Sequence, residues 1–344
     1  MKITRVGLDL AKQVIQLHAV DAREQVVKRV ALKREALMGF FHNLPACAIG
    51  MEACAGAHDW ARRLRALGHE VKLLPPHRVK PYVHGQKNDR NDAAAICEAM
   101  TRPSMSVVPV KSVAQQDGQA LVRIRSERVA SRTALINQVR GLLAEYGLVI
   151  APGAVNVRRA IPRLLEDAQN GLSGVFRSLL ADLYDDLVAL DARIATLDRT
   201  VVHYVRDHEA PRRLCAVPGI GPVTAVALVA SVGNAHQFNS GRQMAAFFGL
   251  TPRQHSSGGK TRLLGMHKRG DSYLRGLLIH GARSMQRTAT HKDDARSRWL
   301  NALAQRRHRN IATVAQANKT VRIAWALLTR GETYHDTGAS PLAA

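Results

Sequence analysis

The sequence predicts an α/β domain at the N-terminus followed by a mainly helical remainder. Short apolar runs of strand length recur through the first 75 residues, separated by polar turns and stretches of helical spacing. Beyond residue 112 the pattern becomes helical, and a seam at 176–204 alternates steps of four and three. Charge is the third observation: 50 Lys plus Arg oppose 27 Asp plus Glu, so this 344-residue chain carries +23 and suits a polyanionic partner.

Residues 3–10, 14–20 and 26–32 form three strands joined by short turns, which favours antiparallel hairpins. A helix over 34–43, a strand over 46–51, a helix over 57–67 and a strand over 70–74 follow, and Pro75-Pro76 ends the last of these. Hairpins followed by alternating helices and strands give a layered α/β fold with a mixed sheet. Residues 112–147 predict one long helix, rich in Arg (Arg123, Arg125, Arg128, Arg132, Arg140), and 151–174 a polar break. Phe176, Leu180, Leu183, Leu187, Leu190, Ile194, Leu197, Val201 and Tyr204 then make a coiled-coil seam, pairing either with 112–147 or with a second subunit. The expected domains are 1–105, a helical region at 106–210, and a C-terminal domain at 211–335.

Composition narrows the function. No run of 18 apolar residues and no signal peptide is present, so a cytoplasmic protein with no membrane role is expected. Cys47, Cys54, Cys97 and Cys215 show no zinc-site spacing and are expected as free thiols. Aromatics make up only 4% of the chain, which argues against a surface built mainly on base stacking.

Against this basic background four carboxylates stand out. Asp9 lies inside the apolar run Val6-Gly7-Leu8-Asp9-Leu10, and Glu52 ends the run Ala46–Met51. Asp89 and Asp92 are three apart at the start of an alanine-rich helix and so share a face. Singly, such residues serve as turn formers or as partners of a helix dipole. Together they suit one or two Mg²⁺ ions, with Mn²⁺ able to substitute, in phosphodiester chemistry.

Two later segments point to nucleic acid. Leu214–Ala225 contains Pro218-Gly219-Ile220-Gly221 and resembles a helix-hairpin-helix, in which Gly219 and Gly221 let a phosphate approach backbone N–H groups; a plain helix–helix turn is the alternative. The segment Gly249–Arg262 contains Gly259-Lys260-Thr261, but position 254, where a P-loop needs its first glycine, is Gln254. By composition it is a mobile basic loop, with Arg253, His255, Lys260 and Arg262 flanking Ser256-Ser257-Gly258-Gly259.

With the four acids, the Pro-Gly-Ile-Gly turn and the Gly-Leu-Thr-Pro-Arg…Ser-Gly segment in order, the chain resembles DEDD transposases of the IS110 insertion-sequence family, in the IS1111 branch, with Piv-type DNA invertases as relatives. The resemblance implies a ribonuclease-H-like, RuvC-type nuclease domain over about residues 1–105, a helical linker and a C-terminal transposase domain. It places the family's acids on Asp9, Glu52, Asp89 and Asp92, and its nucleophilic serine on Ser257 rather than Ser256. Arg253, Lys260 and Arg262 are the expected nucleic-acid contacts beside it. It further implies Mg²⁺-dependent strand exchange on donor and target DNA through a serine–DNA intermediate. A guide non-coding RNA, a homo-oligomer (dimer or tetramer) and a bacterial, nucleoid-associated location belong to the same expectation. The competing function is a RuvC-like endonuclease that uses metal-activated water; a non-enzymatic scaffold is disfavoured by the intact set of acids.

Overall fold

Val6, Gly7 and Leu8 are all buried, which marks their strand as central to a sheet with both faces covered. The structure, a computed structural model, describes residues 2–86 and 88–335; Lys87, just ahead of the Asp89 helix, lies outside the described residues. Two compact units divide in sequence between Val113 and Ala114.

The first unit opens with β1 (Arg5–Leu10), β2 (Val14–Val20) and β3 (Val26–Lys33), all antiparallel. It continues through α1 (Leu37–His42), β4 (Ala48–Glu52), α2 (Ala57–Ala66), β5 (Glu70–Leu74), α3 (Pro76–Val79) and α4 (Asp89–Ala99). The predicted helix at 34–43 is in fact a single 3₁₀ turn followed by α1. Strand order is β3-β2-β1-β4-β5, with β4 parallel to both β1 and β5. This is the mixed sheet the sequence predicts. The exposed edge strand β3 carries Lys28, Arg29 and Lys33, charges that discourage edge pairing.

Alternation along β1 sends Val6 and Leu8 to one face, where Phe41, Trp60 and Leu64 of α1 and α2 complete a core. The other face receives α4. A Cβ on Gly7 would lie 2.2 Å from the Ala93 carbonyl oxygen and 2.6 Å from the Cys97 nitrogen, and one on Gly50 would lie 2.8 Å from Met100 Sδ. Glycine at these two sheet positions is what lets α4 seat against the strands.

Among the described residues, the second unit is helical apart from one hairpin. In α5 (Val113–Ala144) and α7 (Gly174–Asp207) the pairs Arg125–Asp198 and Arg132–Asp191, together with Tyr204 Oη donating to the Ala114 carbonyl at 2.6 Å, fix an antiparallel arrangement. Between them the predicted polar break holds α6 (Ala154–Glu166), with Pro162 inside it. That helix forms because Val157 and Ile161 bury against Val139, Leu143, Phe176 and Leu180, a tertiary gain that outweighs the proline. Phe176, Leu180, Leu187, Ile194 and Val201 of the seam are buried within the unit.

Then come α8 (Glu209–Cys215), α9 (Pro222–Val232), α10 (Gly241–Phe247), β6 (Pro252–Gln254), β7 (Leu263–Met266), α11 (Ser272–Ala289), α12 (Ala295–Arg306) and α13 (Arg309–Arg330). Their core includes Leu214, Leu228, Met244, Phe248, Leu274 and Val321. No described helix is long and apolar enough to cross a membrane.

Candidate active site

Asp9 is the fifth residue of β1 and therefore shares a face with Gly7, the face on which α4 lies. Asn88 caps that helix, its side chain accepting from the Asn91 backbone N–H at 2.9 Å, so that Asp89 becomes the first helical residue. Asn91 Nδ2 donates to the Gln86 carbonyl at 2.8 Å and ties the approach of the chain to the helix start. Asp89 and Asp92 thereby arise on one face of the first turn.

The packing of α4 on β1 brings Asp9, Asp89 and Asp92 together, each offering a carboxylate oxygen within 4.8 Å of the others. Asp9 and Asp92 are half-buried and Asp89 is exposed, so the group opens to solvent on one side. Adjacent oxygens around octahedral Mg²⁺ are about 3 Å apart and opposite ones about 4.2 Å. Every donor is oxygen, the atom type a hard divalent cation takes, and a modest side-chain adjustment brings the three to ligand spacing.

Glu52 is placed differently. It ends β4 one step beyond the Leu8–Met51 register pair, on the strand beside Asp9, and it shares a face with Gly50. It is not one of the three clustered donors. The Cys54 thiol, exposed on one side and enclosed by protein on the other, is pushed up by that enclosure, then by the charges of Glu52 and Asp9.

The serine segment forms a hairpin rather than a mobile loop. The Lys260 N–H donates to the Ser257 carbonyl at 3.0 Å and the His255 N–H to the Arg262 carbonyl at 2.9 Å, two rungs of one antiparallel ladder. Gly258 and Gly259 turn the chain with φ of +54° and +75°, the positive pair a tight two-residue hairpin turn requires. Because side chains alternate, Ser257, Lys260, His255 and Arg262 share one face. Ser256 lies on the other, where Gln254 Nε2 donates to its Oγ at 2.9 Å. Arg253, Lys260 and Arg262 are exposed and none forms a salt bridge among the described residues. The Gly-Lys-Thr run sits at a hairpin tip, not between a strand and a helix, which disposes of a P-loop.

The Pro-Gly-Ile-Gly turn joins α8 to α9. Gly219, with φ of +86°, packs closely on α11: a Cβ there would meet Met285 Sδ at 2.7 Å, and a Cβ on Gly281 would meet the Gly219 oxygen at 2.0 Å. Gly221 is exposed, with open space beside it, and precedes Pro222 at the start of α9. Of the two glycines, Gly221 is the one with room for a phosphate.

Sequence reasoning passes over Gly7, Gly50 and Asn88, which position the acids through the seating and capping of α4. A signal exists for the glycines, since an isolated Gly inside a buried strand marks close backbone approach.

A family profile described as Transposase matches residues 6–148, and one described as Transposase IS116/IS110/IS902 family matches residues 211–299. The chain is 52% identical to a probable family 20 transposase of Pseudomonas aeruginosa, over 97% of this chain and 99% of the relative. It is 46% identical to the transposase of insertion sequence element IS1111A from Coxiella burnetii, over 96% and 90%. The transposase of IS1328 from Yersinia enterocolitica is 36% identical, over 96% and 98%.

Proposed function

The chain belongs to the IS110 family of DEDD transposases, and on that premise we propose that it exchanges DNA strands through a covalent link to Ser257. The observation that carries this reading is the hairpin register, which groups Ser257 with His255, Lys260 and Arg262 and turns Ser256 away. Ser257 Oγ attacks phosphorus, forming an O–P bond while the bond to one sugar oxygen breaks. The hydroxyl proton leaves to a base and the departing oxygen takes up a proton. Lys260 and Arg262 offset the charge that develops on the phosphoryl oxygens, and the phosphoserine ester conserves the bond for rejoining.

Asp9, Asp89 and Asp92 would hold a divalent cation, with Mg²⁺ the assigned ion and Mn²⁺ its substitute, and Glu52 is the fourth acid of the set. When bound, the ion supplies Lewis-acid stabilisation of phosphoryl oxygen charge. The Gly221 side of the Pro-Gly-Ile-Gly turn, together with Gly219 as its packing residue, and exposed Arg253 contact the nucleic-acid backbone. A net charge of +23 is suited to holding donor DNA, target DNA and a guide RNA, with base pairing doing the sequence readout. Four cut strands require several active sites, so a dimer or tetramer is the working form. We assign 1–105 to the nuclease, 106–210 to the linker and 211–335 to the serine domain.

The test is to trap the cleavage product under denaturing conditions. A protein-linked DNA strand, absent from Ser257→Ala and from Asp9→Asn while both variants still bind DNA, is the expected result. A free 5′-phosphate end from the wild-type protein, with full cleavage by Ser257→Ala, would select the metal-activated-water endonuclease instead.

A further inference from the structure

Helix α13 has two working faces. Ala312, Thr313, Gln316, Ala317, Thr320 and Val321 are buried in the core. A second face, carrying Ile311, Val314, Asn318, Lys319 and Arg322, borders a groove of about 840 Å³. Trp299 of α12 and the roots of the serine hairpin, including Pro252 and Leu264, complete its walls. The volume falls in the ~300–1,000 Å³ range of small-molecule sites.

The lining is mainly apolar, with two cations and the polar side chains of Thr251, Asn310 and Asn318, and contains no carboxylate among the described residues. Ile311 is 54% exposed and Leu264 37%, so two large apolar side chains face water here. Lys319 and Arg322 are half-buried, and neither forms a salt bridge among the described residues. The Lys319 ammonium lies 4.5 Å from the centre of the Trp299 ring, which fixes its position without neutralising it. Burial, then the charges of Arg296 and Arg322, push the Lys319 amine down; burial, then Arg242, does the same to Arg322. Two partly desolvated cations without an anion are unfavourable alone, and a phosphate relieves them.

We propose that this groove holds an unstacked nucleotide of the DNA strand being cut, its base against Ile311, Val314 and Leu264 beside Trp299 and its phosphate on Lys319 and Arg322. The proposal rests on the serine-recombination reading and adds a second foothold on the same strand. Ser257 lies five positions beyond Pro252, at most about 17 Å of extended chain. The near wall of the groove, at Pro252, is therefore no more than about five stacked nucleotides from Ser257. Shape and charge, rather than base edges, do the work, which suits a chain with few aromatics.

The experiment uses the full chain carrying Ser257→Ala, so that no cleavage intervenes. The probe is a short single-stranded DNA with a fluorescent adenine analogue placed at successive positions. Lys319→Met with Arg322→Gln should weaken binding about tenfold and reduce the salt slope by about 0.7 for each phosphate no longer neutralised. Fluorescence should change at one position and lose that change in the variant. Ile311→Glu alters an exposed side chain, leaves the core intact, and should weaken binding by replacing the apolar contact to the base with a solvated charge. Unchanged affinity in both variants overturns the proposal, as does an equal loss on duplex DNA or a loss confined to RNA of the same sequence. A normal groove response in a protein whose wild-type form makes no serine adduct would remove the serine assignment and leave the groove standing.

Discussion

The acid cluster and the serine hairpin accomplish positioning by opposite means. Asp9, Asp89 and Asp92 come from segments about 80 residues apart in sequence, and they meet because a buried sheet and a buried helix face are packed without a side chain between them. Ser257 and its basic neighbours lie within eight residues, His255 to Arg262, and two backbone rungs plus a two-glycine turn group them with every side chain exposed. The first arrangement is as stable as the core around it. The second is local, and can open without disturbing the rest of the fold. Residues that bind a cation need fixed separations, whereas a nucleophile that must reach a phosphate gains from a hairpin that can adjust when DNA arrives.

That contrast is easiest to break at Gly7. Gly7→Ala places a methyl group 2.2 Å from the Ala93 carbonyl oxygen, so α4 must move and carry Asp89 and Asp92 with it. We expect a loss of about 1–3 kcal/mol in urea unfolding. Single-turnover cleavage should fall about 100-fold, the usual penalty for misplacing a reacting group by an ångström. Wild-type activity in Gly7→Ala would mean that the acids do not depend on this seating.

A smaller effect is expected at the hairpin. Gly259 has φ of +75° and open space around its Cα, so Gly259→Ala strains only the turn, by about 1 kcal/mol. Adduct formation should slow about fivefold while the melting temperature of the whole protein stays put. A drop in melting temperature comparable to that of Gly7→Ala would show that the hairpin is part of the cooperative fold.

The smallest effect belongs to Ser256→Ala. It removes the acceptor of one exposed hydrogen bond, from Gln254, on the face away from the cations. Adduct yield in a gel assay should stay within about twofold of wild type, since exposed hydrogen bonds contribute little. Loss of the adduct in Ser256→Ala, with Ser257→Ala still reactive, would reverse the assignment of the nucleophile.

The legibility of these features follows their range. Strands at 14–20 and 70–74 and the long helices are plain in the sequence, because period-two and period-3.6 apolar patterns are local consequences of which side is wet. The order of elements also implies the mixed sheet, since short connections force hairpins and long ones force crossovers. Helix α6 escapes a sequence reading because its stability comes from Val139, Leu143 and Phe176, distant partners that a polar, proline-containing segment does not announce. The hairpin at Ser257 has the Ser-Gly composition of a flexible loop, although Gly258-Gly259 between short runs is itself a turn signal.

The sequence by itself determined most of the elements, the basic charge, and which acids and which serine belong to the family pattern, all properties carried by residue identity and spacing. Tertiary structure decided which of those residues meet. Three acids converge and Glu52 stands beside them, Gly219 is filled by α11 while Gly221 stays open, and the second face of α13 becomes a groove. The physical reason is that convergence depends on sub-ångström packing between distant segments. At Gly7 and Gly50 the absence of a side chain sets that packing, and no local pattern records which helix will occupy the space.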